Sequence, residues 1–375
     1  MNWLALAGGL ALMAWLLWDA FETILLTRRV PARLRMSRIV VTALWTLSST
    51  IGRTILSRPR REAFLSFYAL FAVIVLLVVW ATGMVFAFAM LHWAAGSRLA
   101  GITATQGVMT SVGFGADLYM SGSTFFTLGL GDLHPVSDAA RVITVVEAGT
   151  GFGFLAMVIA YVPVLYQSFA RREARITMLD AWAGSPPNAA VVLRRNAESA
   201  NPAALASLLR DWELAAAEIL ESHLSYPILC FFRSQHDNQS WLASLVAVLD
   251  TCALVIVGVE GVDPFQARLT FAIGRHALVD LSQAFRLRPQ PAASLRMPEA
   301  ERAELRAWLK SAGVPLREGP DADAKLAELR DLYSPYAHQL SRVLLMTLPP
   351  TLPPAKARYN WQTTQWGKTA QDDAH

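Results

Sequence analysis

Between two long apolar stretches lies the run Ser123-Thr124-Phe125-Phe126-Thr127-Leu128-Gly129-Leu130-Gly131-Asp132-Leu133-His134-Pro135. The chemistry it could do belongs to its backbone. Gly129 and Gly131 alternate with Leu128 and Leu130, and only glycine takes positive φ cheaply. Such an alternation lets consecutive carbonyls turn toward one axis. Carbonyls in a row can replace the hydration shell of a monovalent cation. The competing reading is a glycine-rich turn between two membrane helices.

Further residues around this run are candidates. Glu147 lies in a stretch that is otherwise uncharged from 142 to 170. An acid inside an apolar segment marks function by default. It could brace the run through Ser123 or Thr124, meet passing cations, or simply pair with a polar neighbour. Gly149, Gly151 and Gly153 follow; the first and last have the Gly-x-x-x-Gly spacing that lets helices approach, and a hinge is the other reading. Pro163 removes one helix hydrogen bond and bends the axis. A second run, Thr110-Ser111-Val112-Gly113-Phe114-Gly115, looks similar to the first but has an extra residue after its threonine. It is assigned to the loop before the short helix that leads into the first run, or to the entry of that helix. His223, Cys230 and His236 fit no metal-ligand spacing, and no catalytic set is visible.

These residues need membrane helices to hold them. The chain has 375 residues, 54% hydrophobic and 17% charged, and a mean hydropathy of +0.35. That is too apolar for one soluble domain. Residues 63–91 carry no charge and 142–170 carry only Glu147; each exceeds the roughly 20 residues that cross a bilayer. Residues 3–27 form a third candidate, read as a span and not a cleaved leader because its positive charges follow the apolar run. Asp19 and Glu22, near its end, are expected to pair with Arg28 or Arg29.

Arginine placement sets the orientation. Nine arginines lie between 28 and 62, against Arg98 alone between 92 and 140, and Arg171, Arg172 and Arg175 follow the last span. Excess Lys and Arg marks the cytoplasmic side. The N-terminus is therefore expected outside and the part after Ala174 inside, in the plasma (inner) membrane. Ile39–Gly52 reads as an interfacial helix meeting anionic lipid. The formal net charge of +4 then calls for no nucleic acid. Cys230 and Cys252 are expected reduced and unpaired.

Helical periodicity fills the rest. Asn201-Pro202 reads as a helix start, followed by Leu205, Leu208, Leu209, Trp212, Leu220 and Leu224 at helical spacing. Further helices are expected over 226–258, 265–287, 297–312 and 323–347. Trp241–Val259 reads as a buried helix in preference to a fourth span, because Asp250 would be costly in lipid.

At this point a resemblance enters. From about Ala63 to Phe169 the order of outer helix, turret, pore helix, filter and inner helix resembles the pore domain of the potassium-channel superfamily. Asp117-Leu118-Tyr119-Met120-Ser121 is similar to the start of a pore helix, and Asp132 and Pro135 match residues that follow the filter. The resemblance implies that the carbonyls of Thr127, Leu128, Gly129 and Leu130 face permeant K+, with the Thr127 hydroxyl at the inner end. Leu130 stands where the family has an aromatic; leucine has no hydroxyl to brace the ring of carbonyls.

The expected fold is thus an all-α membrane protein, a pore-loop channel domain plus a helical cytoplasmic domain. Residues 1–62 hold the first span and the basic interfacial helix, 63–173 the pore domain, 174–350 the cytoplasmic domain and 351–375 a polar tail. The expected function is a homotetrameric, potassium-channel-like cation channel without a voltage sensor. Filter residues are Thr127 to Asp132, with Glu147 bracing and Gly149, Gly153 and Pro163 gating. Membrane lipid is the expected partner; no cofactor and no enzymatic activity are expected. The alternative is a membrane-anchored signalling or scaffold protein with a poorly conducting pore-like domain.

Overall fold

The computed structural model describes residues 2–24, 35–96, 99–102, 108–111, 113–199, 201, 203–236, 238–289 and 297–353. Arg28, Arg29, Pro202, Val112 and most of the expected polar tail lie outside them. The chain divides into two compact units, Met1–Ile51 with Phe67–Tyr166, and Gly52–Ser66 with Gln167–His375. Among the described residues four helices are long and apolar enough to cross a membrane: Trp3–Ile24, Arg60–Ala94, Asp138–Ala183 and Trp241–Gly258.

The first unit is built on α1 (Trp3–Ile24) and α4 (Tyr68–Ala94). They run antiparallel: the Asn2 N–H donates to the Ala94 carbonyl, and further along Asp19 meets Trp80. Glycines allow the approach. A Cβ on Gly9 would sit 3.0 Å from the Ala87 carbonyl, and one on Gly83 2.7 Å from Leu16. Small residues serve this purpose where burial against lipid gives no driving force. On the far side of α4, Leu70, Phe71, Ile74, Val78 and Phe86 are exposed. A helix that is apolar all round suits lipid and not water.

The acids of α1 have partners among the described residues. Asp19 accepts from the Ser37 N–H (2.9 Å), the Ser37 hydroxyl (3.0 Å) and the Trp80 indole (2.8 Å). Ser37 opens α2 (Met36–Thr54), so Asp19 satisfies a donor at that helix start. Glu22 pairs with Arg35 at 3.1 Å. The expected partners Arg28 and Arg29 lie outside the described residues. The Tyr68 hydroxyl donates to the Val41 carbonyl, and its ring packs edge-on against Trp45.

After α4 the expected turret is a small sheet. Strands β1 (Leu99–Ile102), β2 (Val108–Ser111) and β3 (Leu133–Pro135) pair antiparallel in the order β2-β1-β3. Leu99 faces Pro135 and Gly101 faces Leu133. The chain before the pore loop is thereby stitched to the chain just after it. Between lies α5 (Phe114–Phe125), and α6 (Asp138–Ala183) follows.

Residues 52–66, read from sequence as part of the N-terminal and pore regions, belong to the second unit. The Arg53 guanidinium donates to the Arg342 carbonyl, and Glu62 pairs with Arg233 at 3.5 Å. This unit also holds α3 (Arg58–Ser66), the end of α6, α7 (Ala189–Glu198), α8 (Ala204–Ser225), a 3-10 turn (Pro227–Phe231), α9 (Trp241–Gly258) and α10 (Phe265–Ala284), then α11 (Glu299–Ser311), α12 (Pro320–Asp331) and α13 (Ser334–Leu344). Asn188 and Ser240 cap α7 and α9 through their side-chain oxygens, as such residues do.

Helix α9 is buried along nearly its whole length, against α7, α8, α10, α12 and α13. Its single charge, Asp250, is answered by Arg330 and the Tyr333 hydroxyl. The helix expected over 226–258 breaks into the 3-10 turn and α9, and that over 323–347 into α12 and α13, where Pro335 suits only a first turn. Cys230 and Cys252 are free and buried; burial pushes the Cys230 thiol up to about 12. Among the described residues no cluster of three His, Cys, Asp or Glu could hold a metal ion.

Candidate functional site

The filter run hangs from the C-terminus of α5. That helix starts at Phe114, earlier than the Asp117 expected from sequence. It ends in two crossed backbone bonds: the Thr127 N–H donates to the Thr124 carbonyl (3.0 Å) and the Leu128 N–H to the Ser123 carbonyl (2.8 Å). This is the Schellman arrangement, which puts one residue in the left-handed region, usually glycine. Here Thr127 occupies that place, at φ +57°. A β-branched residue there is strained by about 1–2 kcal/mol, and such strain clusters at functional sites.

Beyond it the backbone alternates. Thr127, Gly129 and Gly131 have φ of +57°, +60° and +75°, and Leu128 and Leu130 between them do not share it. A Cβ on Gly129 or Gly131 would meet nothing within 4 Å. Their glycines are therefore required by backbone angle, not by space. Leu128 and Leu130 are exposed in the single chain. The second filter-like run falls on β2 and the first turn of α5 and has no such alternation among its described residues.

The segment after the run is held twice. Asp132 accepts a 2.8 Å bond from the Tyr119 hydroxyl on α5, and β3 pairs with β1. Sequence reading placed Tyr119 in the pore helix but gave it no role; the signal available was one phenol on that helix and one carboxylate beyond the glycines.

Among the described residues the side-chain hydrogen-bond partner of Glu147 is His92. Glu147 is fully buried, and its Oε2 lies 3.2 Å from His92 Nε2 near the end of α4. The Ser121 hydroxyl of α5 is also buried. Glu147 is thus buried within the first unit, with His92 of α4 as its hydrogen-bond partner. The physical reason is the cost of a buried carboxylate, which demands a partner that can donate. His92 was missed because, in sequence, it reads as the first residue of a polar loop.

The glycines of α6 divide differently from expectation. A Cβ on Gly149 or Gly153 would meet nothing within 4 Å, whereas one on Gly151 would lie 2.0 Å from the Phe125 carbonyl oxygen. Among the three α6 glycines, close packing within the chain is thus the work of Gly151. Gly153 borders a groove of about 360 Å³ between α1, α4 and α6, lined by Leu16, Trp80, Met84 and Met157 among others. Helix α6 continues unbroken through Pro163, which has no N–H for the Ile159 carbonyl.

Residues 72–167 match the family model described as "Ion channel". No curated protein and no solved structure matches the chain. The match covers α4 from Ala72, the sheet, α5, the filter run and α6 through its proline. This stretch, about a quarter of the chain, is similar to an ion channel of the potassium-channel-like kind, and on it rests the resemblance to the potassium-channel superfamily.

Proposed function

We propose that the chain assembles as a homotetramer around the filter run and conducts monovalent cations, with K+ as the permeant ion. Four copies are needed because one run supplies one wall, and irregular backbone at membrane depth must be buried in protein or line a water-filled cavity. In this reading the carbonyls of Thr127, Leu128, Gly129 and Leu130 coordinate the ion, and Gly131 and Asp132 close the outer end. Glu147 braces the filter; Gly149, Gly153 and Pro163 on the inner helix gate it. Lipid surrounds the first unit. The N-terminus lies outside and the second unit is a cytoplasmic regulatory domain. Conduction needs neither a cofactor nor a catalytic group.

The observation that carries this reading is the alternation of left-handed φ at Thr127, Gly129 and Gly131. The test is thallium flux into liposomes holding the purified protein. Wild type is expected to conduct. Gly129→Ala is expected to abolish flux while the protein still expresses, because the methyl penalises the angle that aims a carbonyl by about 1 kcal/mol or more. Unchanged flux in Gly129→Ala would remove the run from the conduction path.

A further inference from the structure

We propose that His92 and Gly151 are positioning residues of the filter: together with Glu147 they fasten the pore helix α5 to the outer and inner helices and so set ion selectivity. This inference rests on the channel reading above.

Three facts place the fastening. Glu147 and Gly151 are one helical turn apart, so they share a face of α6. That face meets the end of α5 directly, where Gly151 lies against the Phe125 carbonyl. His92, 1% exposed, reaches from α4 and holds Glu147 Oε2 at 3.2 Å. Phe125 is the last residue of α5, and Thr127, two residues on, is the first of the alternating positions. A displacement of the helix end therefore passes directly into the filter backbone.

The two contacts are stiff for different reasons. The His92–Glu147 hydrogen bond is fully buried, so moving either partner leaves an unsatisfied polar group. At Gly151 no side chain is interposed, so the helix backbones cannot approach further and any added atom must push one of them. His92 touches neither ion nor filter and acts only through Glu147.

The test is the bi-ionic K+/Na+ reversal potential of full-length protein in planar bilayers, which does not depend on how many channels assemble. His92→Leu and Gly151→Ala are each expected to change the K+/Na+ permeability ratio by about fivefold or more. His92→Gln, whose amide can donate from the place of Nε2, is expected to keep the wild-type ratio within about twofold. Gly122→Ala is the matched control: its methyl would meet only Val85, at 3.9 Å. If Gly151→Ala fails to assemble, His92→Leu decides. Fewer channels with an unchanged ratio in His92→Leu would mean a purely structural role and overturn the proposal. A silent wild type would sink the channel reading, and this inference with it.

Discussion

Thr127 shows how a single residue can carry two constraints. As the left-handed residue of a Schellman end it terminates α5, and as the first of three alternating positions it begins the filter run. Sequence pointed to glycine at 129 and 131 for backbone reasons, and the structure has them at positive φ. It did not point to positive φ at Thr127, because a β-branched residue is the last expected there. Tyr119 was equally silent, since a phenol on a short helix says nothing of a carboxylate thirteen positions later until the loop is folded. Its bond to Asp132 is now open to test. Tyr119→Phe removes one solvent-exposed hydrogen bond to the Asp132 carboxylate. The expected outcome is a shifted K+/Na+ reversal potential with undiminished assembly. A wild-type potential in Tyr119→Phe would show that the β1–β3 pairing alone holds Asp132.

At the scale of elements, the helices of the first unit were legible because lipid demands long uncharged runs, and α1, α4 and α6 follow them closely. The sheet was not legible: its strands are three or four residues long and one lies beyond the filter, so neither alternation nor proximity shows in the string. The partners of Asp19 were hidden for a similar reason, since Trp80 stands 61 positions away. Asp19 joins three elements, α1, α2 and α4. Asp19→Leu would leave the Ser37 N–H and the Trp80 indole without their acceptor, at about 1–3 kcal/mol for each buried group. Asp19→Asn keeps an acceptor oxygen and should cost less. The expected order of thermal stability in detergent is wild type, then Asn, then Leu, read by the temperature at which the protein leaves solution. Equal stability of all three would mean that α1 is held to α4 by its glycine contacts alone.

Across the whole molecule, α2 and α6 each belong to both units, and α6 begins just after the filter run and ends in the second unit. There Arg172 is buried and donates to His223 Nε2 (3.1 Å) and to the carbonyls of Leu229 (2.9 Å) and Phe232 (3.0 Å), with Glu173 at 3.0 Å. Sequence assigned Arg172 to the positive-inside count, which is a statement about side and not about contacts. The geometry fixes the protonation of His223. Its Nε2 accepts from a cation, so the ring must be neutral, and its Nδ1 faces the Ser222 hydroxyl at 3.0 Å. Burial first, and Arg172 second, push His223 well below its usual value near 6.5. The unfolded chain, by contrast, takes up a proton there as the pH falls through about 6.5. Unfolding then binds one more proton than folding, so acid favours the unfolded state. Stability contributed by this site is complete above pH 6.5 and declines below it, by up to about 1.4 kcal/mol per pH unit until the folded value is reached. Intrinsic tryptophan fluorescence, with Trp241 packed against the His223 ring, would follow thermal unfolding of the full chain. Between pH 7 and 5 the wild-type midpoint is expected to fall. In His223→Gln, which can accept from Arg172 but cannot titrate, that part of the fall is expected to vanish. Identical pH slopes in the two proteins would show that His223 is protonated in the folded state, and that Arg172 is held by the Leu229 and Phe232 carbonyls without it.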